Sequence, residues 1–156
     1  MARDELTHLE EWVTPLVAKL SAPGRKALSR LIGRDLRRSQ AQRIAAQKEP
    51  DGTPFAARRP GRDLRSKRGS IRQRKAAMFA KLRTARWLKV MANENEAAVG
   101  FTGRAERIAR VHQEGLRDRV SPQGPEVRYA RRQLLGFSEA DRRLITDALL
   151  AHLRGV

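Results

Sequence analysis

Leu6, Leu9, Val13, Leu16, Val17 and Leu20 recur at steps of three and four residues, while Asp4, Glu5, Glu10 and Glu11 fall on other faces. That spacing predicts a helix with one buried stripe. Pro15 lies inside it and is expected to bend it, because the proline ring removes a backbone donor. Ser21-Ala22-Pro23-Gly24 supplies a turn and a new N-cap, with proline near the first helical position. A second helix follows to about Gln47, with Leu28, Leu31, Ile32, Leu36 and Ile44 as its apolar stripe and Arg34, Arg37, Arg38 and Arg43 projecting elsewhere. The two helices are expected to form an antiparallel hairpin with complementary acidic and basic outer faces.

Further on, Met78 to Leu88 reads as a short helix leading into a strand. Trp87 to Ala92 and Ala97 to Phe101 flank Asn93-Glu94-Asn95, which carries turn chemistry, so this stretch predicts a β-hairpin. A helix opening at Thr102 or Gly103 places Ala105, Ile108, Ala109 and His112 on one side and ends at Gly115 in a left-handed cap. After a tight loop from Ser121 to Pro125, Val127 to Ala130 predicts a third strand. Phe137, Ser138 and Asp141 form an N-terminal signature of staple, cap and first-turn acid. The final helix carries Leu144, Ile145, Ala148, Leu149, His152 and Leu153. The expected fold is α+β: an N-terminal helical hairpin, a small antiparallel β-sheet and a C-terminal helix in a single domain over residues 1–156.

Charge changes this picture at one place. Between Lys48 and Lys75 the chain holds ten Lys/Arg residues against Glu49, Asp51 and Asp63, punctuated by Pro50, Gly52, Pro54, Pro60, Gly61 and Gly69. Like charges in a stretch poor in apolar residues repel, and a buried guanidinium needs a carboxylate that this segment does not own. The segment is therefore expected to be a solvated basic arm, mobile in the free protein. Arg58, Arg59, Arg62, Arg65, Lys67, Arg68, Arg72 and Arg74 are its candidate contacts to a phosphate backbone or an acidic protein surface. A solubilising insertion with no dedicated partner is the plainer alternative.

The formal net charge of +17 and pI near 11.6 point the same way, to a polyanionic or acidic partner. The absence of cysteine excludes disulfides and thiolate sites and suits a cytoplasmic site of synthesis. The N-terminus lacks the apolar run of a signal peptide, and nowhere do about 18 apolar residues run together, so no membrane role is expected. Aromatics make up 4% of the chain, too few for a binder that stacks base after base. His8, His112 and His152 lack the spacing of a helix-borne metal pair, and no phosphate-cradling glycine motif appears. No enzymatic activity, metal or cofactor is expected. The histidines are read as structural, and the carbonyl end of the helix dipole at His112 favours an imidazolium there.

In one order along the chain stand Arg37-Arg38-Ser39-Gln40-Ala41-Gln42-Arg43-Ile44-Ala45, Pro50-Asp51-Gly52-Thr53-Pro54-Phe55, Met78-Phe79-Ala80-Lys81-Leu82-Arg83, Ile108 to Gly115 and Tyr129 to Ser138. This succession resembles the phage virion morphogenesis family, the tail-completion proteins of contractile-tailed phages. The resemblance implies a non-enzymatic α+β virion protein in the neck, at the head-proximal end of the tail. It also implies a ring of subunits, six-fold if it follows the tail, in contact with tail-tube terminator proteins and head-completion or portal-side proteins. His112, Gln113, Gly115, Tyr129, Arg131, Leu135 and Gly136 lie in the matching motifs and read as fold and assembly determinants.

The arm then has two settings: facing the genomic DNA in the channel, or clamping a neighbouring protein, the latter favoured because DNA must slide past. The rival reading from another class is a free basic nucleic-acid-binding protein, supported by charge alone.

Overall fold

The computed structural model describes residues 2–18, 20–58 and 77–154. Eight elements follow one another: α1 (Ala2–Val17), α2 (Ala22–Ala45), β1 (Leu88–Ala92), β2 (Ala97–Phe101), α3 (Arg104–Glu114), β3 (Arg117–Arg119), β4 (Glu126–Arg128) and α4 (Glu139–Arg154). The architecture is α+β, with two separate antiparallel hairpins in place of one sheet. β1 pairs with β2 in the register Leu88↔Phe101 to Ala92↔Ala97. The expected strand near Val127 is β4, and its partner β3 is a strand the hydrophobic pattern did not announce, because Arg117-Asp118-Arg119 has no apolar alternation.

α2 is the spine. Ser21 caps its start, with Oγ accepting from the Gly24 N–H at 3.3 Å. Its end is a Schellman turn: Gln47 takes a left-handed φ of 59°, its N–H reaches the Ile44 carbonyl and the Lys48 N–H reaches the Arg43 carbonyl. One side of α2 packs on the β1–β2 hairpin and another on α4. Leu28, Ile32 and Leu36 join Val13, Leu20 and Leu149 in the larger core. Further along, Ile44 joins Phe55, Ala109 and Leu134 in a second core, with Met78, Phe79 and Phe101 packed against it.

The structure departs from the sequence expectations at several places. Met78–Trp87 is a series of turns, since Phe79 adopts a left-handed φ of 62° that no helix accepts. Leu31 and Ile108 lie outside the core, at 37% and 46% exposure, and Phe137 at 45% exposure is no staple. The first part of the basic segment is packed. Lys48 bridges Pro54, the Asp51 carboxylate accepts from the Thr53 N–H and hydroxyl, and Phe55 is buried. Eleven residues from 48 to 58 are thus part of the folded chain, because one aromatic anchor and a tight turn offset the local charge. Leu6 and Leu9 of the expected stripe lie in α1, but their side chains are not among those described. His8 does not cover the core: its side chain is 83% exposed beside Glu11.

Candidate functional site

Residues 129–138 follow β4 without forming a strand or helix, so their backbone groups need partners from elsewhere. Side chains supply most of them, beside two backbone bonds, Tyr129 N–H to the Leu116 carbonyl and Arg132 N–H to the His112 carbonyl. The Gln113 amide at the end of α3 accepts through Oε1 from the Leu134 N–H at 2.7 Å and the Leu135 N–H at 3.0 Å, and donates through Nε2 to the Leu135 carbonyl at 2.9 Å. Arg43 on α2 donates to the Leu134 carbonyl at 2.8 Å and the Gln133 carbonyl at 3.4 Å. Gln40 donates to the Gly136 carbonyl at 2.8 Å. The segment becomes a strap tied across the ends of α2 and α3.

The other motif residues sit in the same place. Gly115 caps α3 at φ 69° and ψ 44°, and a Cβ there would stand 3.2 Å from the Arg131 backbone nitrogen, so both conformation and space require glycine. A Cβ on Gly136 would stand 2.7 Å from the Pro50 ring, which seals the strap against the turn after α2. The Tyr129 N–H bonds the Leu116 carbonyl, and the exposed Arg131 reaches the Gln113 carbonyl at 3.3 Å.

His112 lies between Phe79 and Tyr129 in edge-on stacks, with ring centroids 4.8 and 4.9 Å away. Arg132, only 4% exposed, donates to its Nδ1 at 3.2 Å and also holds the Ala56 and Ala57 carbonyls at 2.7 and 2.8 Å. Burial, with the neighbouring Arg132 charge adding to it, lowers the His112 pKa from 6.5 to about 4. The ring is neutral at neutral pH, with its proton on Nε2 as the Arg132 donation requires, so the imidazolium expected from the helix dipole is not formed. Desolvation outweighs half a unit of dipole charge here.

A polar knot lies beneath the strap. Asp141 is fully buried and accepts from the Ser138 N–H and hydroxyl at 2.9 and 2.8 Å, from Ser39 Oγ and from Gln40 Nε2 at 3.4 Å. Its own N–H returns to Ser138 Oγ at 3.1 Å, closing the capping box at the start of α4. Burial draws the Arg43 pKa down from its ordinary value while the Asp141 and Glu49 carboxylates oppose that shift. The cap was legible from sequence; the convergence of Gln40, Arg43 and Arg132 was not, since each looked like one more surface polar residue of a basic chain.

The basic arm is seen only at its root. Arg58 is exposed and lies 3.5 Å from the Ala77 carbonyl, where the chain returns. Arg59, Arg62, Arg65, Lys67, Arg68, Arg72 and Arg74 lie outside the described residues. The return is clasped by Gln47, which accepts from the Met78 N–H at 2.7 Å and donates to its carbonyl at 2.9 Å. Among the described residues no three His, Asp or Glu side chains are placed to hold a metal ion, and no described helix is long and apolar enough to cross a membrane.

The same stretches carry a family likeness, which extends over residues 4–154. The chain belongs to the phage virion morphogenesis family. Within that family it is 40% identical, over 151 residues covering 96% of this chain and 98% of its relative, to the protein named Tail completion protein S of Escherichia phage P2. No solved structure matches the chain. The strap and its clasps therefore lie within the span that this chain shares with a named virion component.

Proposed function

We propose that this chain is a non-enzymatic structural virion protein that completes the head-proximal end of a phage tail and supports joining of tail to head. One observation carries the reading: 40% identity across nearly the full length of both chains to a tail completion protein. In this reading the protein acts as a closed ring in the neck, six-fold with the tail, touching tail-tube terminator and head-completion or portal-side proteins. A ring suits the physical inventory, because subunit contacts in a cyclic assembly cover exposed apolar residues such as Met91, Ile108 and Phe137. The strap residues Tyr129, Arg131, Leu135 and Gly136, with His112, Gln113 and Gly115 at the end of α3, then hold one edge of each subunit in fixed shape. The arm contributes repeated charge-assisted contacts whose small energies add around the ring, so that their affinities multiply.

The test is complementation of a phage lacking this gene, with heads, tails and complete virions counted by electron microscopy. Wild-type protein should restore complete virions, and full virion yield without it would overturn the reading. Replacing Arg58, Arg59, Arg62, Arg65, Lys67 and Arg68 together with Ser should leave soluble, folded protein but few joined particles. Normal joining by that variant would reduce the arm to a solubilising insertion. A free nucleic-acid-binding role predicts instead that virions form without the protein.

A further inference from the structure

Against the basic background of the chain, one open groove between α2 and α4 is acidic. Leu31, Leu144 and Ala148 form its apolar floor, and Asp35 and Asp147 stand at its border. Glu139 and Arg143, also at the border, are paired with each other at 3.3 Å, and Glu139 meets Arg142 at 3.7 Å as well, so the pair leaves the two aspartates as the groove's uncompensated charge. Asp35 and Asp147 have no ion-pair partner among the described residues, although the chain holds 34 Lys and Arg. Two unpaired carboxylates over an exposed leucine fit a cationic segment that also carries an isolated aliphatic residue.

The chain owns such a segment. Between Arg59 and Ala76 it has eight Lys/Arg, a single acid in Asp63, and Leu64 and Ile71 as its large aliphatics. We propose that the groove between α2 and α4 receives this segment from a neighbouring copy of the chain. The choice of a neighbour follows from the helix. The segment leaves and returns beside the second core, since Phe55 and Met78 both pack with Ile44. Leu31 lies thirteen positions before Ile44, which at 3.6 residues and 5.4 Å per turn is about 20 Å away and turned by about 140°. The arm is rooted on one face of α2 and the groove opens on another. A donor site and an acceptor site on different faces make a heterologous contact, the kind that closes into a ring when the rotation per subunit allows.

This inference rests on the ring reading above for its biological setting, but its test does not depend on virion yield. The chain has no cysteine, so single introduced thiols report unambiguously. Full-length Leu64→Cys and Leu144→Cys proteins, mixed and oxidised, should give a cross-linked dimer containing one copy of each, and Leu144→Cys alone should give none. Ala140→Cys, on the same groove, replaces Leu144→Cys should the latter lose its fold by circular dichroism. Adding Asp35→Asn and Asp147→Asn should slow the mixed cross-link roughly fivefold at low salt, as loss of two exposed charge contacts implies. No mixed cross-link, or a protein carrying both Leu64→Cys and Leu144→Cys that links only within one chain, overturns the proposal, as does a rate indifferent to the two Asn substitutions. Complementation that succeeds without the cross-link would remove the arm-in-groove contact and leave the tail-completion reading standing.

Discussion

Replacing Gln113 with Leu should cost about 2–4 kcal/mol of folding stability. The substitution keeps the size of the side chain but deletes its amide. Two N–H donors, those of Leu134 and Leu135, then lose their acceptor, and the Leu135 carbonyl loses a donor. Leu134 has zero exposure, so water cannot easily reach its N–H. An unsatisfied buried donor costs about 1–3 kcal/mol, and the more accessible Leu135 groups recover part of their loss from solvent. The assay is urea unfolding followed by circular dichroism, and for a chain of this size the loss corresponds to a fall of about 5–12 °C in Tm. Gln113→Glu separates the components, because a carboxylate still accepts from both N–H groups but faces the Leu135 carbonyl without a donor. Its cost should fall between wild type and Gln113→Leu. A Gln113→Leu protein within about 0.5 kcal/mol of wild type would refute the claim that side chains hold the strap.

Three other outcomes are expected. Because the folded His112 pKa of about 4 lies below its ordinary 6.5, its contribution is fully present above pH 6.5 and is lost as pH falls through about 4; screening at this half-buried ring limits the loss to about 1–2 kcal/mol. Urea midpoints from pH 7.5 to 4 should therefore fall more steeply for wild type than for His112→Gln, and equal slopes would contradict the assignment. Gly33→Ala should destabilise by about 1 kcal/mol net, because the new methyl would stand 2.4 Å from the Val90 Cγ1 and the clash outweighs the gain in helix propensity. Val90→Ala in the same chain should recover part of that loss, and strict additivity of the two changes would argue against the contact. Leu149→Asp should abolish soluble protein by placing a charge in the main core, whereas Leu31→Asp should stay soluble at its 37% exposure, measured as the soluble fraction after expression.

The chain's own pattern determined its helices, its first hairpin and two of its turns. Spacing by three and four residues marks α1, α2 and α4, alternation around Asn93-Glu94-Asn95 marks β1–β2, and Gly115 and Ser138 mark helix ends through backbone chemistry confined to a few neighbouring residues. These signals are local, so sequence carries them. The succession of short motifs also carried the family, since order along a chain is itself a property of sequence.

Only the tertiary structure decided which side of a stripe is buried. Leu31 looks like Leu28 and Ile32 in the apolar stripe, but whether it meets a neighbour depends on the distance at which α4 packs, and it stays 37% exposed. Arg132 and Asp141 show the converse. In a chain this basic, one more arginine reads as surface, yet Arg132 is buried because the carbonyls of Ala56 and Ala57, some 75 residues earlier, need a donor. His112 is neutral for the same reason: its surroundings come from Phe79, Tyr129 and Arg132, and desolvation is a property of what folds around a group. Local pattern marks the four helices and the first hairpin but neither β3 nor the turns of Met78–Trp87; the unmet hydrogen bonds of an irregular segment, answered by residues distant in sequence, decide where the polar side chains go.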